Sequence, residues 1–130
     1  MNSDASSVNI KLSALPKTWI FDIDGTLVLH NGYLSPQGDT LIDGVKDFFS
    51  RISKQDKIIL LTARKKDCQE DLENFLNINE IRHDLILYDM PVGERILVND
   101  KKPSGLFTAY AINKERDEPL DLHIVIDNSL

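Results

Sequence analysis

Apolar and polar positions change their period along the chain in blocks. Thr18 to Ile23 is a short apolar run of strand type, whereas Val45, Phe48, Phe49 and Ile52 recur at helical spacing in a segment that begins after Gly44. Lys57 to Thr62 holds Ile58-Ile59-Leu60-Leu61, a continuous apolar run typical of a strand buried on both faces. Cys68, Leu72, Phe75 and Leu76 fall on one face of a second helix, with Gln69, Glu70, Asp71 and Glu73 outside it. Further apolar runs follow at Leu85-Ile86-Leu87, Ile96-Leu97-Val98 and Ala109-Tyr110-Ala111-Ile112. The order strand, helix, strand, helix, strand, then two more strands on short links predicts an α/β fold, a parallel sheet flanked by helices. In the tail, Leu122 to Ile126 reads either as a final edge strand or as a segment that pairs with another subunit.

Leu27 to Asp43 is the longest irregular stretch, with the turn pairs Asn31-Gly32, Ser35-Pro36 and Gly38-Asp39. Residues 1–15 read as a polar N-terminal leader and 16–130 as one domain, the size expected for 130 residues. The leader lacks the basic start and apolar core of a signal peptide, and no apolar run is long enough to span a bilayer. Cys68 is the only cysteine, which excludes an intrachain disulfide and fits a reducing, cytoplasmic setting. The formal charge of −6 disfavours non-specific binding to nucleic acid or to an anionic membrane, so neither is expected as a partner.

The chemistry concentrates at Trp19-Ile20-Phe21-Asp22-Ile23-Asp24-Gly25-Thr26-Leu27. A strand places residues i and i+2 on one side, so Asp22 and Asp24 are expected to face one point at its carboxyl end. Two acids so placed repel unless a cation or a shared proton relieves them. The pair suits a hard, oxygen-liganded ion such as Mg2+ and offers a carboxylate nucleophile beside an acid/base. In an open α/β sheet, ligands bind outside the carboxyl ends of the strands. The second strand ends there in Thr62-Ala63-Arg64, and the run Ile96-Leu97-Val98 leads to Asn99-Asp100-Lys101-Lys102. Thr62 offers an uncharged hydroxyl, and Arg64 a fork for a substrate anion. His30 reads as a solvated loop residue, His83 as structural and Cys68 as core.

The stretch Asp22-Ile23-Asp24-Gly25-Thr26 after a hydrophobic strand resembles the first signature motif of the haloacid dehalogenase (HAD) superfamily. The resemblance implies a Rossmann-like HAD core and, since neither usual insertion point holds enough residues for a cap, no cap domain. It implies Asp22 as nucleophile, Asp24 as general acid/base and Thr62 as the hydroxyl on a phosphoryl oxygen. It also implies a Mg2+ site formed by Asp22, the backbone carbonyl of Asp24 and Asp100. The family's third motif carries a lysine, but Met90-Pro91 stands in the matching segment Asp89 to Arg95. Arg95, Lys101 and Lys102 are the candidate substitutes, with Arg95 the first choice for substrate binding beside Thr62 and Arg64.

The expected function is a Mg2+-dependent phosphomonoester hydrolase working through an aspartyl-phosphate. Compact motif spacing and the segment Arg95 to Pro103 resemble small HAD proteins of capsule polysaccharide biosynthesis, which implies a phosphorylated sugar as substrate. A homo-oligomer is expected, because a capless site needs a neighbour to exclude water. The alternatives are a non-catalytic module that binds a sugar phosphate or a partner, and a phosphatase acting on nucleic-acid ends.

Overall fold

The computed structural model describes residues 8–130. Its elements are β1 (Val8–Leu12), β2 (Thr18–Asp22), α1 (Val45–Ser50), β3 (Lys57–Leu61), α2 (Gln69–Ile78), β4 (Leu85–Leu87) and β5 (Leu122–Ile126). Single 3-10 turns at Gly32–Leu34 and Lys66–Cys68 precede α1 and α2. Strands β2, β3 and β4 form a parallel sheet in that order, with Asp22 opposite Leu61 and Leu61 opposite Leu87. Each parallel pair needs a crossover, and α1 and α2 supply them. The chain is therefore a mixed α/β protein built on parallel strands.

The β2 face against α1 is aromatic. The Phe21 ring lies 4.7 Å from Phe49 and 6.2 Å from Phe48, and Trp19 meets Phe48 edge-on at 5.5 Å. Asp56 fixes the start of β2, accepting from the Trp19 indole N–H at 2.9 Å and from the Lys17 backbone N–H at 3.0 Å. Ile58, Leu60, Leu72 and Leu76 are fully buried, each worth about 1.5–3 kcal/mol of transfer free energy. Ile59 and Leu61 are only half-buried, so β3 is deeply covered on one face rather than on both.

Two regions depart from the sequence reading. Val8–Leu12, inside the expected leader, is a strand paired in parallel with β5, from Val8 opposite Leu122 to Leu12 opposite Ile126. This also places the tail against its own chain; residues 1–7 of the leader lie outside the described residues. The expected strands at 95–99 and 108–113 do not form. Ile96 and Val98 are 84% and 89% exposed. Local hydrogen bonds compete with a ladder there. The Asn99 amide donates to the Thr108 hydroxyl and carbonyl, Thr108 donates to the Asp100 carbonyl, and the Lys102 N–H donates to the Leu106 carbonyl. Pro103, within that loop, has no N–H to give.

Gly44 shows how tightly the segment before α1 is fitted. Its φ is +86°, and a Cβ there would stand 2.4 Å from the Leu120 carbonyl oxygen. Gly44→Ala is expected to lower stability by about 2–3 kcal/mol, read as a lower urea midpoint at unchanged slope. Among the described residues no helix is long and apolar enough to cross a membrane.

Candidate active site

The end of β2 is shaped by one carbonyl. The Ile23 oxygen accepts the N–H groups of Thr26, Leu27 and Val28 at 3.2, 2.9 and 3.2 Å, and Gly25 turns the chain at φ +85°. Fully buried Ile23 and Leu27 anchor this turn in the core. Asp22 and Asp24 flank Ile23 and point away from the core, both half-buried. The Ile23 N–H continues the β2–β3 pairing to the Leu61 carbonyl at 3.1 Å, which brings Thr62 beside Asp24.

Each acid has its own cation. The Asp22 carboxylate accepts from the Thr26 hydroxyl at 3.2 Å and from the Arg95 guanidinium at 3.0 Å. The Asp24 carboxylate accepts from the Thr62 hydroxyl at 3.1 Å and from Arg64 at 2.8 and 3.1 Å. Arg64 is buried, and its fork is shared with Asp39, at 2.7 and 3.0 Å. The Tyr33 ring lies beneath it, 3.9 Å from the guanidinium carbon. Burial works against the Arg64 charge, but the hydrogen bonds to Asp39 and Asp24 more than offset it and raise its pKa. Arg64 is therefore a fixed cation between two acids.

The structure brings together Asp22, Asp24, Thr62, Arg64 and Arg95. It corrects the expected role of Arg64, whose fork is filled by Asp24 and Asp39 rather than held open for a substrate anion. Of the three substitutes for the motif lysine, Arg95 is the one that reaches Asp22; the Lys101 ammonium instead lies 5.5 Å from the Phe107 ring centroid. Asp100 does not join Asp22 and Asp24, because residues 95–99 make no strand beside β2 to deliver it. No group of three or more metal-ligating side chains stands together among the described residues. Asp22 is paired with Arg95 and Asp100 is not gathered beside it, so in this arrangement the two carboxylates expected to hold Mg2+, with the Asp24 backbone carbonyl, do not converge on one point. Asp39 and Tyr33, which hold Arg64, carried no signal in the sequence beyond lying in a turn-rich stretch.

A second approach to the motif turn comes from residues 114–117. The Lys114 ammonium donates to the Gly25 carbonyl at 3.3 Å, and the Asp117 N–H donates to the same carbonyl at 2.9 Å. The Asp117 carboxylate accepts from the His30 backbone N–H at 2.7 Å. Residues 95 to 114 thus form an arm whose two ends rest on the Asp22–Thr26 turn.

No protein-family model and no curated protein matches the chain. Two solved structures contain chains similar to it. The first is described as the structure of a Pnkp1/Rnl/Hen1 complex; identity is 33% over 64% of this chain and 31% of that one, with a TM-score of 0.49. The second is described as the structure of the Pnkp1/Rnl/Hen1 RNA repair complex, at 31% identity over 72% of this chain and 32% of that one, with a TM-score of 0.48. The chain spans about a third of the length of the chains it matches.

Two expectations are corrected here: a phosphorylated sugar as substrate, and the exclusion of nucleic acid. The similar chains come from an RNA repair assembly. The charge argument behind the exclusion also fails locally. The formal charge of −6 is a sum over the chain, whereas the arm from Arg95 to Lys114 carries Arg95, Lys101, Lys102 and Lys114 against Asp100, 4 − 1 = +3.

Proposed function

We propose that this chain is a phosphatase domain of HAD type that removes the terminal phosphate from a nucleic-acid strand, RNA in the first place. The observation that supports it is the pair of acids at the carboxyl end of β2, each with a hydroxyl and an arginine. A carboxylate nucleophile beside a second carboxyl group is the arrangement that acyl-phosphate chemistry requires.

In this reading an Asp22 oxygen attacks phosphorus, and the bond from phosphorus to the ribose oxygen breaks. Asp24 starts the step protonated and gives its proton to that oxygen; as the carboxylate it then takes a proton from the water that hydrolyses the aspartyl-phosphate, which restores its starting form. Arg95 must first release Asp22. Their ion pair is more than a third exposed on both sides, so its opening costs little. The freed guanidinium then stands beside the incoming phosphoryl oxygens and offsets their charge. Thr62 and Arg64 keep Asp24 in place. The exposed arm suits a polymer, whose length lies outside the site, better than a small metabolite. The RNA repair setting of the similar chains agrees with such a substrate.

The test is release of inorganic phosphate from short RNA strands phosphorylated at the 3′ or the 5′ end, beside free sugar phosphates. Turnover of an RNA end well above that of the sugars is the expected result. No release from either RNA end would overturn the proposal.

A further inference from the structure

The arm between Arg95 and Lys114 is unlike the rest of the molecule. It carries a formal charge of +3 in a chain of −6. It contributes little to the core, and its Phe107 and Tyr110 are 62% and 50% exposed. Cationic side chains interleaved with exposed aromatic rings are the surface that single-stranded nucleic acid selects, since every base has a face to stack and every linkage a charge. Residues 99–108 are held in a defined loop by the bonds from Asn99 to Thr108, from Thr108 to the Asp100 carbonyl and from Lys102 to Leu106. Within it, Lys101 sits over Phe107.

We propose that this loop, with Tyr110, is the docking surface for the single-stranded RNA whose end enters the Asp22 site. The inference rests on reading that site as an RNA-end phosphatase. Phe107 stacks on a base, and Lys101 and Lys102 pair with the phosphates that flank it. The tether sets the register. Arg95 stands beside Asp22, paired with it before the strand enters and beside the phosphoryl group afterwards, and six residues of extended chain reach about 21 Å at most from the Arg95 Cα to the Lys101 Cα. At about 3.4 Å per stacked nucleotide that backbone span corresponds to roughly six nucleotides, to which the Arg95 and Lys101 side chains add a few more. A single protein thereby holds the strand and presents its terminus.

The experiment is fluorescence anisotropy with a short single-stranded RNA that ends in hydroxyl groups, so that binding is read apart from phosphate release. Wild type is expected to bind it with a salt dependence. Phe107→Ala and the bulkier Phe107→Leu should each bind roughly tenfold more weakly, with circular dichroism unchanged. Lys101→Ala and Lys102→Ala should each lower the slope of log affinity on log salt by about 0.7. Wild-type affinity in Phe107→Leu would overturn the proposal, as would failure of the wild type to bind. Equal affinity for the matching single-stranded DNA would overturn the assignment to RNA. The outcomes separate from those of the catalytic reading. Tight, Phe107-dependent binding without phosphate release from RNA ends removes the phosphatase and leaves the surface. Phosphate release with Phe107-independent binding does the reverse.

Discussion

Asp22→Asn is expected to slow phosphate release from an RNA end by at least about a thousandfold while leaving the protein folded. Three decades correspond to about 4 kcal/mol of transition-state free energy, which is modest for removing a nucleophile. An amide oxygen still accepts a hydrogen bond from Thr26 or Arg95, but it cannot form the aspartyl-phosphate. The lost ion pair with Arg95 is substantially exposed on both sides, and such pairs contribute about 0–1 kcal/mol to stability. Activity and stability therefore part company in this variant. Single-turnover phosphate release and a urea titration, run on one preparation, read the two effects. Retention of more than a few per cent of wild-type rate would remove Asp22 from the chemistry.

Arg64→Ala is expected to destabilise the fold by about 3 kcal/mol, the lower end of the range for breaking a buried ion pair. The Arg64 side chain is 3% exposed and those of Asp39 and Asp24 are 8% and 19% exposed, so solvent relieves the acids only in part. Without the guanidinium, the two carboxylates face one another uncompensated. Removing one of those charges as well should recover stability, so Arg64→Ala with Asp39→Asn is expected to lose less than the two single variants summed. Urea midpoints of the four proteins form the cycle. Additivity within about 0.5 kcal/mol would mean that Asp39 and Arg64 do not act together.

The central sheet and its helices were legible because their signals are local. Val45, Phe48 and Phe49 lie on one turn of helix, and Ile58 to Leu61 is too long an apolar run to leave exposed. Ile96-Leu97-Val98 looks the same in sequence but lies in water, because tethers at Arg95 and Lys114 and side-chain bonds from Asn99 and Thr108 claim its surroundings. Composition cannot weigh those against a ladder. Val8, Ile10 and Leu12 alternate with Asn9 and Lys11, a period-two signal that was present but lay within a polar leader. At the site, Asp22, Asp24, Thr62 and Arg64 stood out from motif and position. What they touch did not, since Arg64 meets Asp39 across 25 residues and Asp24 across 40, and no local pattern reports such a meeting.

The sharing of Arg64 between two acids also couples two distant parts of the chain. Tyr33 and Asp39 belong to the segment that precedes α1, and Asp24 to the turn after β2. One guanidinium spans the gap between them like a bolt. The 27–43 segment cannot drift gradually away from the site, because the first ångström of movement already strains a desolvated ion pair. Any shift of that segment therefore reaches Asp24 through a single shared charge, so the loop and the acid/base act as one mechanical unit.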